Sequence, residues 1–309
     1  MDNQLISVIL PTYNEPKYIV DLALTSILVQ SYTNIEILVI LDNPSNVEIK
    51  KYLEEKCLED SRIRLIINPS NFGLVKSLNI GIKNSNGYYI ARMDADDISH
   101  KERLNSQKKF LCDNELDFVY SGMKHIDESG KTIAEDKYSK LSTKKLNFLL
   151  KYGNISNHPT WLFKKEIFYK LSGYRSIPYC EDYDFILRAV LFGFKIGRME
   201  SNCLDYRHRS NSISRQNNLN QMYNTYLISK AYRKNKLLKF SFEHSLSNNK
   251  IKYSIIRFRK YYEILDKYNA TDKLISKTFF LLLLMLHPVT RNYIFFKAFR
   301  KIVSGDSNA

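Results

Sequence analysis

The segment Asp94-Ala95-Asp96-Asp97 places three carboxylates within four positions. Carboxylates this close raise one another's pKa unless a cation neutralises them. Hard divalent ions such as Mg²⁺ and Mn²⁺ take oxygen ligands, commonly one or two carboxylates together with substrate phosphates. A metal held there would bridge a diphosphate and offset charge on a leaving group. The same acids also suit a solvated turn, or the N-cap of a helix starting near Ser99. A second acidic group, Glu181-Asp182 with Asp184 just behind, opens a predicted helix over Glu181–Phe192. The helix dipole and free N–H groups favour negative charge there.

The elements that must position these groups are legible from periodicity. Leu5–Leu10 is an apolar, β-branched run ending at Pro11, and Pro16 suits the first turn of a helix carrying Ile19, Leu22, Ala23 and Ile27. Strand-like Ile35–Leu41 leads into the turn Asp42-Asn43-Pro44-Ser45 and a helix to about Cys57. Arg62–Ile67, a helix over Gly73–Asn84, and the strand Tyr88–Met93 complete four alternations of strand and helix. That order predicts an α/β fold, a mostly parallel sheet flanked by helices. Ligands of such sheets bind beyond the carboxyl ends of the strands. Thr12–Glu15, Asp42 and Asp94–Asp97 all fall at those ends. No G-x-G-x-x-G or Walker pattern is present, so no glycine-rich loop cradles a phosphate. From about Asp117 to Arg209 short strands mix with two clear helices, and beyond Arg215 helices dominate around a probable loop at Ser245–Lys250.

The chain has 309 residues, 44% hydrophobic and 26% charged, enough for a full core. Its four cysteines lack paired spacing, which argues against a disulfide framework or zinc site and for a reducing compartment. The first residues lack a basic stretch and a small-residue cleavage site and read as the first core strand, so no secretion signal is expected. Net charge is +15, unevenly placed: residues 215–309 hold 18 Lys and Arg against 5 Asp and Glu. We expect a near-neutral body over residues 1–214 and a basic helical extension over 215–309.

The blocks Pro11-Thr12-Tyr13-Asn14-Glu15, Asp42, Asn71-Phe72-Gly73-Leu74 with Asn79, and Tyr88 through Asp97 occur in an order and spacing that resembles the family 2 glycosyltransferases. The resemblance covers roughly residues 5–215. It implies the GT-A fold, a nucleotide-sugar donor (most often a UDP-sugar), Mn²⁺ or Mg²⁺, and inversion at the anomeric carbon. Donor contacts would come from Pro11, Thr12, Tyr13, Glu15, Asp42, Asn71, Arg92, Asp94, Ala95 and His158. In the D-x-D motif Asp94 would face the ribose and Asp96 would be the main metal ligand. Many relatives read Asp-Asp-Gly-Ser after the second strand, whereas this chain keeps only Asp42, which also competes as a cap for the following helix. Asp182 matches the catalytic base, with Glu181 and Asp184 in the same turn and Asp184 in reserve. Asn157-His158-Pro159-Thr160-Trp161 resembles the segment lining the donor-sugar pocket, where Trp161 would stack on a sugar or sit in the core. Arg207-His208-Arg209, followed by Ser210, Ser212 and Ser214, matches the family's Tyr-Arg-x-His segment imperfectly. Arg209 holds the usual histidine position and His208 stands one residue early, so the arginine's fork of donors would take over a phosphate contact.

Phe279–Leu286 is an eight-residue apolar run ended by His287-Pro288, too short for a bilayer span of about 20 residues. With Arg291, Lys297, Arg300 and Lys301 nearby it fits either a buried helix or one lying at an anionic membrane surface. The expected setting is cytoplasmic, peripheral on the inner face of the membrane, beside a glycan or lipid-linked acceptor in surface polysaccharide synthesis. A basic nucleic-acid-binding protein is the alternative, opposed by the acidic cluster and the absence of a nucleic-acid module, so no nucleic acid is expected. A transferase-like protein without turnover is a third reading, opposed by Asp94, Asp96 and Asp182.

Overall fold

Strand β1 (Ile6–Thr12) is central because its apolar side chains find cover on both faces. Ile6, Val8 and Leu10 share a core with Val20, Ala23, Leu24 and Ile27 of helix α1 (Lys17–Leu28). Ile37, Val39 and Leu41 of β2 (Ile35–Leu41) join that core with Ile49 and Leu53 of α2 (Val47–Glu59). On the opposite face α3 (Leu74–Asn84) sits so close that a Cβ at Gly81 would lie 2.7 Å from Ile40 and 2.8 Å from Ile9. Full burial of each such aliphatic side chain contributes about 1.5–3 kcal/mol.

The computed structural model describes residues 3–209, 217–242, 249–271 and 274–304. Its sheet runs β3-β2-β1-β4-β8-β6-β9-β5, with β3 (Ile63–Ile67), β4 (Tyr89–Arg92), β5 (Ile98–Ser99), β6 (Phe118–Ile126), β8 (Leu162–Lys164) and β9 (Ile196–Arg207). A short β7 (Thr132–Glu135) pairs with β6. β1 through β4 are mutually parallel, β8 is antiparallel to β4 and β6, and β9 is parallel to β6. The chain leaves β1 towards β2 and β3, then returns to β4 on the other side, so the strand order reverses between β1 and β4. That is where a ligand crevice opens in such sheets.

Besides one-residue shifts at the ends of β3, α3, β4 and the Glu181–Leu191 helix, two features differ from the sequence reading. β1 continues through Pro11 to Thr12 instead of stopping. Ile9 C=O accepts from Met93 on the β4 side and Thr12 C=O accepts from Asp42 on the β2 side. Pro11, two residues from Ile9, therefore faces the β4 side where β4 has ended, and its missing N–H costs no ladder bond. No helix starts near Ser99 either. That residue is in β5, with its N–H on Ser26 Oγ and its hydroxyl accepting from Gln30, and the next helix is α4 (Arg103–Asp113).

Packing groups the chain into two units. The first comprises Met1–Thr143, Ser156–Arg175 and Ala189–Arg209, including α6 (Lys165–Lys170). The second comprises Lys144–Ile155, Ser176–Arg188 and Ser210–Ala309. It holds most of α5 (Thr143–Leu150), the first turns of α7 (Glu181–Leu191), and α8 (Asn218–Arg233), α9 (Asn249–Ala270), α10 (Leu274–Met285) and α11 (Pro288–Ser304). The middle of the chain thus carries three helices, α5 to α7. Ser210, Ser212 and Ser214 lie outside the described residues, as do 245–248 of the expected loop, while Asn249 and Lys250 open α9. The four cysteines are free thiols.

Candidate active site

β1 and β4 pair with Ile9 opposite Arg92, so the residues following each strand emerge side by side. Beyond β4, oxygens of Asp94, Asp96 and Asp97 all lie within 4.8 Å of one another. Arginines frame them. Arg92 grips both oxygens of Asp94 through its two Nη atoms. Arg209 Nε is 2.7 Å from Asp96 Oδ2, and its Nη2 is 3.2 Å from Glu15 Oε1. Arg207 donates its backbone N–H to Asp97 Oδ1 (2.9 Å) and its Nε to the Asp96 carbonyl (3.0 Å). Beneath, buried Arg103 donates to the Arg92 carbonyl at 2.6 Å, and burial pushes its pKa down to about 10.

Despite this frame the acids are under strain. Burial, then the neighbouring Asp94 and Glu15 carboxylates, push Asp96 up to about 6, with Arg209 and Arg92 acting the other way. Burial and then Asp96 and Asp94 hold Asp97 well above the usual carboxylate range. Asp97 Oδ2 is buried and has no hydrogen-bond partner. An all-oxygen donor set with an orphaned buried oxygen fits a hard divalent cation.

A prediction follows for Asp97→Asn. Asp97 binds its proton more tightly folded than unfolded, so wild-type stability falls as pH rises from the ordinary Asp value towards the raised one. The amide has no such dependence. The variant should therefore be more stable than wild type at pH 8, by about 0.5–2 kcal/mol, with the gain shrinking towards pH 4. Urea melts at both pH values measure this, and a variant less stable at pH 8 contradicts it.

Beyond β1, Glu15 Oε2 accepts from Thr12 Oγ1 (2.8 Å) and the Tyr13 N–H (2.7 Å), which folds the loop on itself and leaves the Tyr13 ring 42% exposed. Asp42 does not cap α2; Asn46 does, accepting from Ile49 N–H at 3.2 Å. Instead the buried Asp42 carboxylate accepts from Asn68 Nδ2 (2.7 Å) and from the N–H groups of Phe72 (2.9 Å) and Gly73 (2.8 Å). It thereby ties Asn71-Phe72-Gly73 to the end of β2. Asn71 Oδ1 also accepts from Gly73, whose φ of +79° suits glycine.

His158 is buried, with Nε2 3.0 Å from the Tyr174 hydroxyl; burial, then Arg92, hold its pKa well below 6.5, so the ring is neutral at pH 7. Of the two places open to Trp161 the structure takes the core: it is 0% exposed, packed edge-on against Phe118 and stacked with Tyr174. His208 pairs with His125 (2.9 Å), whose other nitrogen is 3.3 Å from Asp136, so it faces that network and leaves Asp96 to Arg209. Asp136, which also accepts from Asn157 and Tyr138, carried no signal in the sequence, nor did Arg103.

In the second unit, half-buried Asp182 accepts from Asn154 Nδ2 (2.7 Å) and from the Tyr183 N–H (2.6 Å). Tyr183 donates its hydroxyl to the Leu150 carbonyl at the end of α5, which fixes the first turn of α7. Asp184, the reserve base, is placed otherwise than expected: it is 0% exposed and ion-paired with Arg188 at 2.8 Å, a packing role. Glu181 stays half-exposed.

Such a sheet, with an acidic turn at its reversal point, is the GT-A arrangement. S. aureus TarS (residues 1–349, with UDP-GlcNAc) superposes with a TM-score of 0.56 over 72% of this chain and 65% of that one, at 22% identity, a likeness of fold. Residues 7–172 match the profile of Glycosyl transferase family 2. An uncharacterised glycosyltransferase of Methanocaldococcus jannaschii is 33% identical over 76% of this chain and 82% of its own length. The O-antigen biosynthesis glycosyltransferase WbnJ of Escherichia coli is 35% identical over 60% of this chain and 72% of its own. A third relative, the E. coli UDP-Glc:alpha-D-GlcNAc-diphosphoundecaprenol beta-1,3-glucosyltransferase WfgD, is 34% identical over 46% of this chain and 56% of its own. The chain belongs to glycosyltransferase family 2 and is a glycosyltransferase.

Proposed function

We propose that the enzyme transfers a sugar, with inversion, from a UDP-sugar to a hydroxyl of a glycan or lipid-linked acceptor in surface polysaccharide synthesis. The observation that carries this is the convergence of Asp94, Asp96 and Asp97 beside the Thr12–Glu15 loop at the sheet's reversal point. The nucleoside would lie against Pro11, Thr12, Tyr13 and Glu15, with Asp42 and Asn71 shaping the base side. Asp94, held by Arg92, would face the ribose next to Ala95, and neutral His158 would sit near the sugar. Asp96, with Asp94 and Asp97 beside it, would hold Mn²⁺ or Mg²⁺, which supplies neutralisation of the diphosphate charge. Asp182 takes the proton from the acceptor hydroxyl as its oxygen attacks the anomeric carbon and the nucleoside diphosphate departs. One base suffices, because inversion needs no covalent enzyme intermediate. The names of WbnJ and WfgD support the polysaccharide setting. The test is a panel of UDP-sugars beside sugars of other nucleoside diphosphates, assayed for Mn²⁺-dependent release of the nucleoside diphosphate. Release from one or two sugars is expected; release only from another nucleotide's sugars would overturn the choice of uridine.

We further propose a peripheral cytoplasmic position at an anionic membrane face. Among the described residues no single helix is long and apolar enough to cross a membrane. Helix α10 buries Leu284 yet exposes Phe279 (57%) and Leu282 (65%), and Leu286 (70%) follows in the turn just past its end, at spacings of three and four residues. Basic Arg291, Lys297 and Lys301 of α11 are exposed as well. An apolar stripe with nearby cations matches the demands of an anionic interface. Leu282→Glu with Leu286→Glu is expected to lower partition onto phosphatidylglycerol-containing vesicles by about tenfold or more, since each buried leucine contributes about 1.5–3 kcal/mol. Equal cosedimentation of variant and wild type would refute the α10 contact.

A further inference from the structure

Of the arginines around the acidic turn, three are committed to the scaffold. Arg92 is 4% exposed and grips Asp94 with both Nη atoms. Arg103 is 1% exposed beneath it. Arg207, 4% exposed, spends its side chain on the carbonyls of Asp96, Asp127 and Glu128. Arg209 differs. Its side chain is 30% exposed, and its contacts here are ion pairs with two carboxylates, Asp96 and Glu15.

Asp96 Oδ2, 2.7 Å from a guanidinium nitrogen, already has a cationic partner. A divalent ion coordinated to that oxygen at about 2.0–2.2 Å would stand within a few ångströms of the guanidinium and repel it. A diphosphate, by contrast, offers the bidentate oxygens that an arginine fork fits. We infer that Arg209 is an exchangeable counter-ion: it competes with the divalent metal for Asp96 and passes to the diphosphate when the donor binds. This rests on the donor-site reading above. Metal and nucleoside diphosphate then bind with positive coupling routed through one side chain, because the diphosphate removes the metal's competitor.

The experiment is calorimetric titration of Mn²⁺, with and without UDP, into wild type, Arg209→Gln, Arg209→Met and Arg209→Lys, each checked for native melting. No turnover is involved. Gln and Met are expected to bind Mn²⁺ alone about tenfold or more tighter than wild type. UDP should then raise their Mn²⁺ affinity by a smaller factor than in wild type. Lys, which keeps the competing charge, should remain within about threefold of wild type for Mn²⁺ alone. The Gln and Met advantage should persist in about 0.5 M salt, where a long-range charge effect is screened but a contact competition is not. Unchanged or weaker Mn²⁺ binding in Gln and Met, or an advantage that disappears in salt, overturns the inference while wild-type binding of Mn²⁺ with UDP keeps the donor site standing. Absence of Mn²⁺ binding with UDP in every form overturns both.

Discussion

Asp96→Ala is expected to weaken Mn²⁺-dependent UDP binding by about 100-fold or more, the scale on which removal of a metal-positioning group acts. Sugar transfer should fall at least as far. The loss should not be a loss of fold. Asp96 is a strained acid, raised to about 6 by burial and by the Asp94 and Glu15 carboxylates. An acid that holds its proton more tightly when folded makes the protein less stable as pH rises through the interval up to that value. Alanine removes that cost, so melting at pH 8 should be no lower than wild type while binding collapses. A residual, metal-independent affinity for UDP is also expected, because Arg209 would lose its Asp96 partner and stay available to phosphate. Titration of UDP with and without Mn²⁺ into both proteins decides the matter. Equal, metal-independent binding in wild type and variant would remove Asp96 from the metal role.

What the sequence yielded and what it withheld divide along the range of the interactions. Alternating apolar runs placed β1 to β4 and α1 to α3 because each element's pattern is local, and the sheet rule then brought Thr12–Glu15 next to Asp94–Asp97. The partners of these groups are distant in sequence and carry no period. Asp42 is satisfied by N–H groups 30 and 31 residues further on, which only the loop between β3 and α3 makes possible. Ser99 looked like a helix start because its bonds to Ser26 and Gln30 span about 70 residues. Arg209 read as an imperfect histidine match; its pairing with Glu15 closes 194 residues of chain. Trp161 and Asp184 are residue types suited to chemistry, but burial decides their role, and burial is a property of the assembled core. His208, one residue before Arg209, pairs instead with His125 of the adjacent strand, where β6 and β9 set His125 opposite Tyr206.

Asp182→Asn tests the remaining assignment, and its signature should be the reverse of Asp96→Ala. The amide keeps the size and planarity of the carboxylate; its one oxygen can still accept from the Tyr183 N–H, while its NH2 stands where Oδ2 accepts from Asn154 Nδ2, a bond kept only when the Asn154 amide turns its oxygen inward. Stability should change by no more than about 1 kcal/mol, the net value of one hydrogen bond. UDP and Mn²⁺ should bind within about threefold of wild type, since no donor contact is assigned to this residue. Transfer should fall by about 10²–10⁴, the range a positioned general base contributes. Asn154→Ala should reproduce a smaller part of that loss, because it frees the carboxylate to turn without removing it. The competing base is Glu181, half-exposed one residue earlier in the same turn. Successive helical residues point about 100° apart, so one of the two can face the acceptor and the other cannot. Parallel assays of Asp182→Asn and Glu181→Gln therefore separate them: transfer retained in the first and lost in the second would assign the proton to Glu181, and a loss confined to Asp182→Asn fixes it on Asp182.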